Sequence, residues 1–308
     1  MSIASAPVGP GLQVLQRGWL SSNNIVLADG EHATLVDSGH CAHAAQTVAL
    51  LRHQLGETPL RQLINTHLHA DHCGGNAALQ RAWGCEVMVP EASAAAVRDW
   101  DEVALSYRLL NQRCERFSAQ GTVRPGQVLP IGKRAWQVLA APGHDPRSLM
   151  LFDAQHGVLI SADALWQDGF GIAFPELDGE SAFDDVAAVL DLIESLAVRV
   201  VIPGHGAPFD DVADALGRAR SRLAAFRADP ARHRRHAAKA LLKFHMLEEQ
   251  CQSLAEVQRW MDQAPMMQAI WHGLGRPEQH LHAWCEQLVR ELATAGVLAL
   301  RDGQVHDN

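Results

Sequence analysis

Residues 66–75 read THLHADHCGG and place three histidines and an aspartate within six positions. The preceding run RQLINT has the pattern of a short strand, and the two glycines that follow indicate a turn or the start of a helix. The side chains of metal-ligand type at this junction are His67, His69, Asp71 and His72. Such crowding is typical either of a solvated polar turn or of a metal site, and other parts of the chain distinguish the two.

Three further polar side chains follow strand-like runs in the same way. VLAAPGH ends at His144, VLISAD ends at Asp163 and VVIPGH ends at His205. Because strand ends at one edge of an α/β sheet converge on a crevice, we expect all seven side chains to meet there. Neutral imidazole and carboxylate suit Zn, Fe and Mn, and a catalytic metal usually takes three protein ligands and a water. Seven ligands therefore predict two divalent metal ions that share one carboxylate and activate a bridging hydroxide.

The rest of the front part alternates between strand and helix patterns. LQVLQRGWL, NNIVLADG and HATLVDSG read as strands separated by glycine-containing turns, and residues 44–55 carry apolar side chains at helical spacing. Residues 91–118 are Ala-rich and charged, which predicts one or two helices without intervening strands. Strand patterns resume from AWQVLAAPG onward, and a Gly- and aromatic-rich loop follows Asp163.

The character of the sequence changes near residue 225. From there to the end it is mainly helical and neutral, so the front part carries the net charge of −9. The final LHAWCEQLVRELATAGVLALRDGQVH predicts a helix, a glycine stop and a hairpin, an order typical of a winged helix and also of other small helical caps. We therefore predict a metal-binding domain at 1–225 and a helical, winged-helix-like domain at 226–308.

Composition restricts the class of protein. The 308 residues are 47% apolar, enough for a sizeable core, yet no run approaches the roughly 20 apolar residues of a membrane span. The N-terminus has no signal-peptide pattern, which favours a cytoplasmic enzyme without a membrane partner. Six scattered cysteines without a Cys-x-x-Cys pair are expected to be reduced thiols. The acidic balance argues against a nucleic-acid partner bound by bulk charge, so we expect a small-molecule substrate.

These motifs resemble those of the metallo-β-lactamase-fold hydrolases, and within them the glyoxalase II-like branch. THLHADH matches the His-x-His-x-Asp-His signature, APGHDPRS the third histidine, SADAL the bridging aspartate and IPGHG the last histidine. TLVDSG, with Asp37, matches an early strand of the family. The resemblance covers about residues 10–225 and implies an αβ/βα sandwich of two mixed sheets with helices outside.

The resemblance also implies a role for each ligand. One metal takes His67, His69 and His144, the other takes Asp71, His72 and His205, and Asp163 bridges them. Asp71 and Asp163 are the two residues assigned to catalysis, and zinc is the expected metal, with Fe and Mn as alternatives. The family often has Thr and Gly after the third histidine, whereas this chain has Asp145, Pro146 and Arg147.

Several substrates are compatible with these motifs. The favoured hypothesis is hydrolysis of a thioester or ester such as an acyl-glutathione or acyl-CoA. The alternative is an endoribonuclease or phosphodiesterase, because some relatives with a similar tail cut single-stranded RNA and residues 232–239, RHRRHAAK, are basic. The acidic net charge and few aromatic residues oppose that hypothesis, and a solvated helix face explains the basic run as well. A lactonase would need a tyrosine near the metals, where only Tyr107 is available, and a β-lactamase would normally carry a signal.

Other residues receive simpler interpretations. Cys73 is predicted to be a packed small residue rather than a ligand, and Asp37 to support the site. The aromatic residues of loop 166–180 form either an apolar lid or helix packing; they are Trp166, Phe170 and Phe174. Four histidines are predicted to lie on the surface, namely His32, His43, His156 and His233. The oligomeric state, a homodimer included, stays open.

Overall fold

The computed structural model of this chain describes residues 9, 11–275 and 280–308. These residues divide into two compact units. The first unit extends to Leu223, apart from Arg108–Gln112 and Leu177–Gly179, and the second comprises those two segments and Ala224–Asn308. The assignment of a hydrolase domain to 1–225 and of a separate domain to 226–308 stays a prediction.

The first unit contains two mixed sheets. The six strands of the first sheet, in spatial order, are β1 (Leu12–Leu15), β2 (Asn24–Ala28), β3 (Ala33–Val36), β4 (Leu60–Ile64), β5 (Glu86–Pro90) and β6 (Gly121–Val123). Pairing is antiparallel from β1 to β3 and parallel from β3 to β6. The five strands of the second sheet are β7 (Val128–Ile131), β8 (Arg134–Ala140), β9 (Leu149–Asp153), β10 (Val158–Ala162) and β11 (Val200–Pro203). Only β10 and β11 pair in parallel within this second sheet.

Helices alternate with these strands. They are α1 (Ala44–Leu55), α2 (Ala70–Cys73), α3 (Asn76–Trp83), α4 (Ala94–Asp99), α5 (Tyr107–Leu110), α6 (Phe174–Leu177), α7 (Phe183–Ser195) and α8 (Val212–Ala228). The helix predicted at 44–55 is confirmed at both ends. It stops before Gly56, whose φ of 55° is favourable for glycine and strained for residues with a side chain.

Two apolar clusters hold the first unit together. Inward-facing side chains of both sheets, such as Ile25 on β2, Trp136 on β8 and Ile160 on β10, form one buried cluster. A second cluster includes Leu51 of α1 and Leu79 of α3 together with residues of β3 to β5. Burial of this apolar surface favours the stacked arrangement of the two sheets. The predicted α/β fold with two mixed sheets is confirmed.

The helices predicted without intervening strands at 91–118 are present, and the structure adds two local details. Within residues 91–118 the helices are short, because Trp100, Ser106 and Asn111 adopt positive φ values of 54°, 67° and 51° that interrupt them. The strands β6 and β7 were absent from the sequence prediction. They are three and four residues long, and β7 contains Pro130, which weakens a strand pattern and is tolerated because β7 is an edge strand.

The second unit combines helices with a small antiparallel sheet. Its longer helices are α9 (Pro230–Glu249), α10 (Leu254–Gln263), α11 (Pro265–Gly273) and α12 (Leu281–Thr294). Its sheet has the order β12 (Cys251–Ser253), β14 (Gln304–Asp307), β13 (Leu298–Arg301). After α12 the chain turns at Gly296 (φ 71°) and forms the hairpin of β13 and β14. The predicted order of helix, glycine and hairpin is confirmed, whereas the winged-helix assignment stays a prediction.

The surface assignment of His233 is wrong. This residue is 2% exposed, and its ring lies 4.9 Å from that of Phe226. Burial lowers the pKa of His233 to about 4, so the ring is neutral at pH 7. Ala237 and Leu241 are buried on the same face of α9, and this helical spacing was a signal that the sequence already contained. His32, His43 and His156 are half-buried rather than fully exposed.

The basic run at 232–239 is partly neutralised within its own unit. Lys239 Nζ lies 2.7 Å from Glu291 Oε2, and Arg235 Nη2 lies 3.2 Å from Glu291 Oε1. A basic face that already pairs with a carboxylate has less positive charge to offer a phosphate backbone. Every helix in the described residues is too short or too polar to cross a membrane.

Candidate metal centre

The seven predicted ligands lie at strand ends of both sheets. Four follow β4, on the loop and on α2, and the others follow β8, β10 and β11. Each is at most 8% exposed. The buried positions are His67, His69, Asp71, His72, His144, Asp163 and His205. Burial of this many polar groups is unfavourable without strong partners, so the interpretation as a solvated turn is wrong.

These side chains form two clusters. The first comprises His67, His69 and His144, and the second comprises Asp71, His72, Asp163 and His205. In the first, His69 Nδ1 lies 3.1 Å from His67 Nε2 and 2.8 Å from His144 Nε2. In the second, His205 Nε2 lies 3.0 Å from Asp71 Oδ2, and His72 Nε2 lies 3.8 Å from the same oxygen.

One carboxylate oxygen joins the clusters. Asp163 Oδ2 lies 3.3 Å from His144 Nε2 in the first cluster and 3.4 Å from His72 Nε2 in the second. Two ligand atoms bound at about 2.1 Å to a tetrahedral ion are about 3.4 Å apart. The spacings therefore match those of ligands around two neighbouring ions, and the His/Asp set is able to hold two metals.

A buried nitrogen without a hydrogen bond supports the same conclusion. His72 Nε2 is inaccessible to solvent and makes no hydrogen bond within the described residues, whereas His72 Nδ1 lies 2.8 Å from Asp37 Oδ2. His144 Nδ1 similarly donates to the carbonyl oxygen of Ile172 at 2.7 Å. Donation from Nδ1 leaves the lone pair of Nε2 free for a metal, as in other carboxylate–histidine and carbonyl–histidine pairs at metal sites.

Asp37 supports both clusters, as predicted for a residue that is not itself a ligand. Its Oδ1 accepts from the Thr66 backbone N–H at 2.9 Å, and its Oδ2 accepts from Thr66 Oγ1 at 2.7 Å. Thr66 Oγ1 in turn lies 3.2 Å from His67 Nδ1. One carboxylate thus orients His72 directly and His67 through the threonine hydroxyl.

We expect Asp37→Asn to weaken metal binding about 10–100-fold, the usual cost of losing a partner of a metal-bound histidine. Asparagine keeps the size and tolerates the φ of 58° at this position, so the fold is expected to persist. Competition with a chromophoric chelator measures the effect. Asp29→Asn is the control, because Asp29 Oδ1 accepts from Glu31 and His32 in its own turn, away from both clusters. Equal affinities in the two variants would contradict the role of Asp37.

The electrostatics favour neutral histidines in the first cluster. Burial lowers the pKa of His69 and of His144 to about 4, and burial together with the neighbouring imidazoles lowers the pKa of His67 well below its ordinary value. For His72, burial lowers the pKa, but the carboxylates of Asp163, Asp37 and Asp71 outweigh it and raise the pKa well above its ordinary value. A metal bound to His72 therefore has to displace a proton, since only neutral imidazole is a ligand.

The carboxylates of the second cluster are ionised. Burial alone would raise the pKa of Asp71 and of Asp163, but the neighbouring imidazoles of His72 and His205 hold both pKa values well below their ordinary range. Two negative charges therefore face the position of the second ion.

Two glycines allow the ligands to approach each other. A Cβ on Gly204 would overlap Asp163 Oδ1 and would lie 3.0 Å from His72 Cε1. A Cβ on Gly171 would lie 2.6 Å from His144 Nδ1. The PGH sequence before His205 was a signal for the first requirement, whereas the sequence around Gly171 contains none.

The sequence leaves two interpretations for the aromatic residues of loop 166–180, an apolar lid and helix packing, and the residues differ in this respect. Phe170 is buried and packs inside the fold. The ring of Phe174 lies 5.2 Å from that of His69, and the ring of Trp166 lies 5.6 Å from that of His205. Trp166 and Phe174 therefore flank the two clusters from opposite ends of the loop.

Trp19 is a site residue that sequence reasoning missed. Its ring stacks on His205 with centroids 5.5 Å apart and planes within 5°, and it meets Trp166 edge-on at 5.4 Å. The side chain is 54% exposed, which is unusual for tryptophan. No local pattern predicts this contact, because Trp19 and His205 are brought together only by the packing of the two sheets.

Cys73 is packed, as predicted. It is fully buried, and its Sγ lies 3.3 Å from the His69 carbonyl oxygen and 3.1 Å from Tyr107 Oη. It lies outside both clusters. Tyr107 is buried as well, with its hydroxyl against this sulfur. A lactonase-type tyrosine would present its hydroxyl to the metals, and a cysteine ligand would present its sulfur. Here the Tyr107 hydroxyl and the Cys73 sulfur face each other instead.

Asp145, the first residue that departs from the family pattern, lies beside His69. Asp145 Oδ2 lies 3.9 Å from His69 Nε2, and Asp145 Oδ1 accepts from the Arg147 backbone N–H at 2.7 Å. The aspartate in place of the family's threonine thus faces the ring nitrogen of His69 that points away from the cluster.

Comparison with known proteins agrees with this geometry. Residues 17–205 match the family model of the metallo-beta-lactamase superfamily. The chain is 27% identical to the acyl-coenzyme A thioesterase MBLAC2 of Gallus gallus over 226 residues, which cover 66% of this chain and 80% of that protein. It is 34% identical to a hydroxyacylglutathione hydrolase of Anaeromyxobacter dehalogenans over 146 residues, so it matches 47% of that enzyme's length. The solved structure of a metallo-beta-lactamase family protein from Thermus thermophilus has a TM-score of 0.59 at 19% identity, covering 97% of this chain and 99% of that one.

Proposed function

Because the chain belongs to the metallo-beta-lactamase superfamily and is a hydrolase of that family, we propose that it is a dinuclear zinc thioesterase. The observation that carries the proposal is the contact of Asp163 Oδ2 with both clusters at 3.3 and 3.4 Å. A carboxylate oxygen within reach of both clusters is suited to hold two ions close together, as two-metal hydrolysis needs. The His/Asp donor set suits zinc among the divalent metals.

The proposed ligand sets follow the two clusters. His67, His69 and His144 would hold one ion, Asp71, His72 and His205 would hold the other, and Asp163, which lies beside both clusters, would serve both. When bound, the two ions supply an acidified water as the nucleophile and neutralise the charge that develops on the substrate carbonyl oxygen. The residues contribute by fixing this geometry, and Asp71 and Asp163 supply the negative charge that retains both ions.

The thiol beside the second cluster is unsuited to attack a substrate itself. Cys73 follows His72 directly, but burial raises the pKa of its thiol well above the ordinary value. The thiolate that nucleophilic catalysis requires is therefore scarce at neutral pH. This supports hydrolysis by activated water rather than through an acyl-enzyme on cysteine.

Two observations support a thioester as the substrate. The relatives include a protein named as an acyl-coenzyme A thioesterase, matched over 80% of its length, and several named as hydroxyacylglutathione hydrolases, such as two matched over 38% and 47% of theirs. Trp166 and Phe174 also place apolar rings beside the clusters, where an acyl group would lie. Phosphodiester cleavage has less support, since Arg235 and Lys239 already pair with Glu291.

We expect zinc-loaded protein to release thiol from acyl-CoA or acyl-glutathione thioesters. The measurement is thiol release across a panel of both carriers with varied acyl groups. His72→Ala serves as the blank, because it removes a ligand of the second ion, and its rate is expected to fall to background. Silence across the panel from wild-type protein with two bound zinc ions would reject the thioesterase and favour a phosphodiester substrate.

A further inference from the structure

The two oxygens of the Asp163 carboxylate have different surroundings. Oδ2 faces His144 and His72, the nitrogens of the two clusters. Oδ1 instead accepts a hydrogen bond from Trp166 Nε1 at 3.1 Å and lies 4.0 Å from His205 Nε2. The indole N–H is a donor only, so this contact has one possible direction. One oxygen is thus left for the metals, while the other is held by a side chain that is not a ligand.

The backbone around Trp166 is tightly held. Its N–H donates to the Gly169 carbonyl oxygen at 2.7 Å, and the Gly169 N–H returns a hydrogen bond at 3.3 Å. Ser161 Oγ donates to the Leu165 carbonyl oxygen at 2.7 Å, and the Gly171 N–H donates to the Asp163 carbonyl oxygen at 2.9 Å. The loop that carries the Trp166 indole is therefore held by hydrogen bonds on both sides of this residue.

Neighbouring rings limit the movement of the indole. Trp19 meets Trp166 edge-on at 5.4 Å, and His205 meets it edge-on at 5.6 Å. Gly204 lies against Asp163 Oδ1 from another direction, since a Cβ there would overlap that oxygen. Rotation of the Asp163 carboxylate is thus opposed by a hydrogen bond and by close packing.

We propose that Trp166 is a positioning residue: its indole N–H fixes Oδ1 of Asp163 so that Oδ2 stays between the two metal positions. The inference rests on the metal pair of the proposed function but not on its substrate. A carboxylate that is free to rotate spends part of its time with neither oxygen between the ions, which weakens their binding. Partners of metal ligands typically contribute about 10–100-fold to metal affinity, and we expect a loss in that range here.

A double-mutant cycle on zinc affinity tests this role. Trp166→Phe keeps one aromatic ring and removes the N–H donor together with the five-membered ring that carries it. Zinc affinity, measured by competition with a chromophoric chelator, is expected to fall about 10–100-fold in Trp166→Phe. In the Asp163→Ala background, where three imidazoles still hold an ion, adding Trp166→Phe is expected to change the affinity by less than about twofold, because the acceptor is already gone.

The controls separate positioning from general damage. Trp83→Phe makes the same substitution on α3, where the ring lies against Arg52 of α1 and outside both clusters, so its zinc affinity is expected to match the wild type. The melting temperature of the metal-free protein is expected to be the same in Trp166→Phe as in the wild type. Equal losses of affinity in both backgrounds, or no loss in the wild-type background, would overturn the inference. Wild-type protein that binds two zinc ions but cleaves no thioester would contradict the proposed substrate and leave this inference intact.

Discussion

Alanine at position 163 is expected to abolish turnover, with a fall of at least about 1000-fold in kcat. Asp163 Oδ2 is the only ligand atom within 3.4 Å of nitrogens of both clusters among the contacts in the described residues. Its removal would deprive each ion of a ligand and would leave His72 without one of its three neighbouring carboxylates. Bound zinc is expected to fall from two ions per chain to at most one. Turnover of an active thioester and metal analysis of the same preparation measure the two effects.

Asp168→Ala is the matched control, because Asp168 lies in the same loop but is exposed and pairs with Arg218 at 3.5 Å. An exposed ion pair contributes little, so rate and metal content should stay near wild type. His69→Ala removes a nitrogen that lies within 3.1 Å of two others in the first cluster, and it should lose turnover as Asp163→Ala does. An unchanged rate in either ligand variant, with the fold verified by circular dichroism, would contradict the assignment of the metal centre.

Gly204→Ala is expected to reduce activity about 100-fold without touching any ligand. The added methyl group would overlap Asp163 Oδ1 and crowd His72 Cε1, so the shared carboxylate must shift. A displacement of about 1 Å at a catalytic group commonly has an effect of this size. Metal affinity should fall with the rate, since the same carboxylate serves both ions.

Gly217→Ala provides the comparison for Gly204→Ala. Gly217 lies inside α8, and a Cβ there would meet nothing within 4 Å. Alanine is the better helix former, by about 0.5–1 kcal/mol, so this variant should be slightly more stable and fully active. If both glycine variants behave alike, the close approach at Gly204 does not shape the site.

The candidate site was largely predictable because its residues repeat one local pattern. Each ligand follows an apolar strand, and strand ends in an α/β fold converge. His144 and His205 were identified by the same PGH sequence, and the stacking of the two sheets brings the ends of β8 and β11 beside the THLHADH residues that follow β4. The surface position predicted for His233, by contrast, is wrong, because its basic neighbours obscure the helical spacing of the apolar residues around it.

The parts that escaped prediction depend on long-range packing. Trp19 meets His205 only because β2 and β11 belong to sheets that stack, and no spacing in the sequence encodes that contact. The breaks at Trp100, Ser106 and Asn111 are positive-φ positions without glycine, which residue type alone does not indicate. Short strands such as β6 have too few residues for a periodicity to be recognised.

The two clusters draw their side chains from both sheets, and this has a consequence for the lifetime of the protein. His67, His69, Asp71 and His72 follow a strand of the first sheet, whereas His144, Asp163 and His205 follow strands of the second. A bound ion therefore cross-links the two layers, and at a free concentration 100 times its Kd it adds about 2.7 kcal/mol to the free energy of unfolding. If two ions bind as proposed, a shortage of the metal would increase the unfolded fraction that proteases remove, so metal supply would govern the abundance of this enzyme as well as its rate.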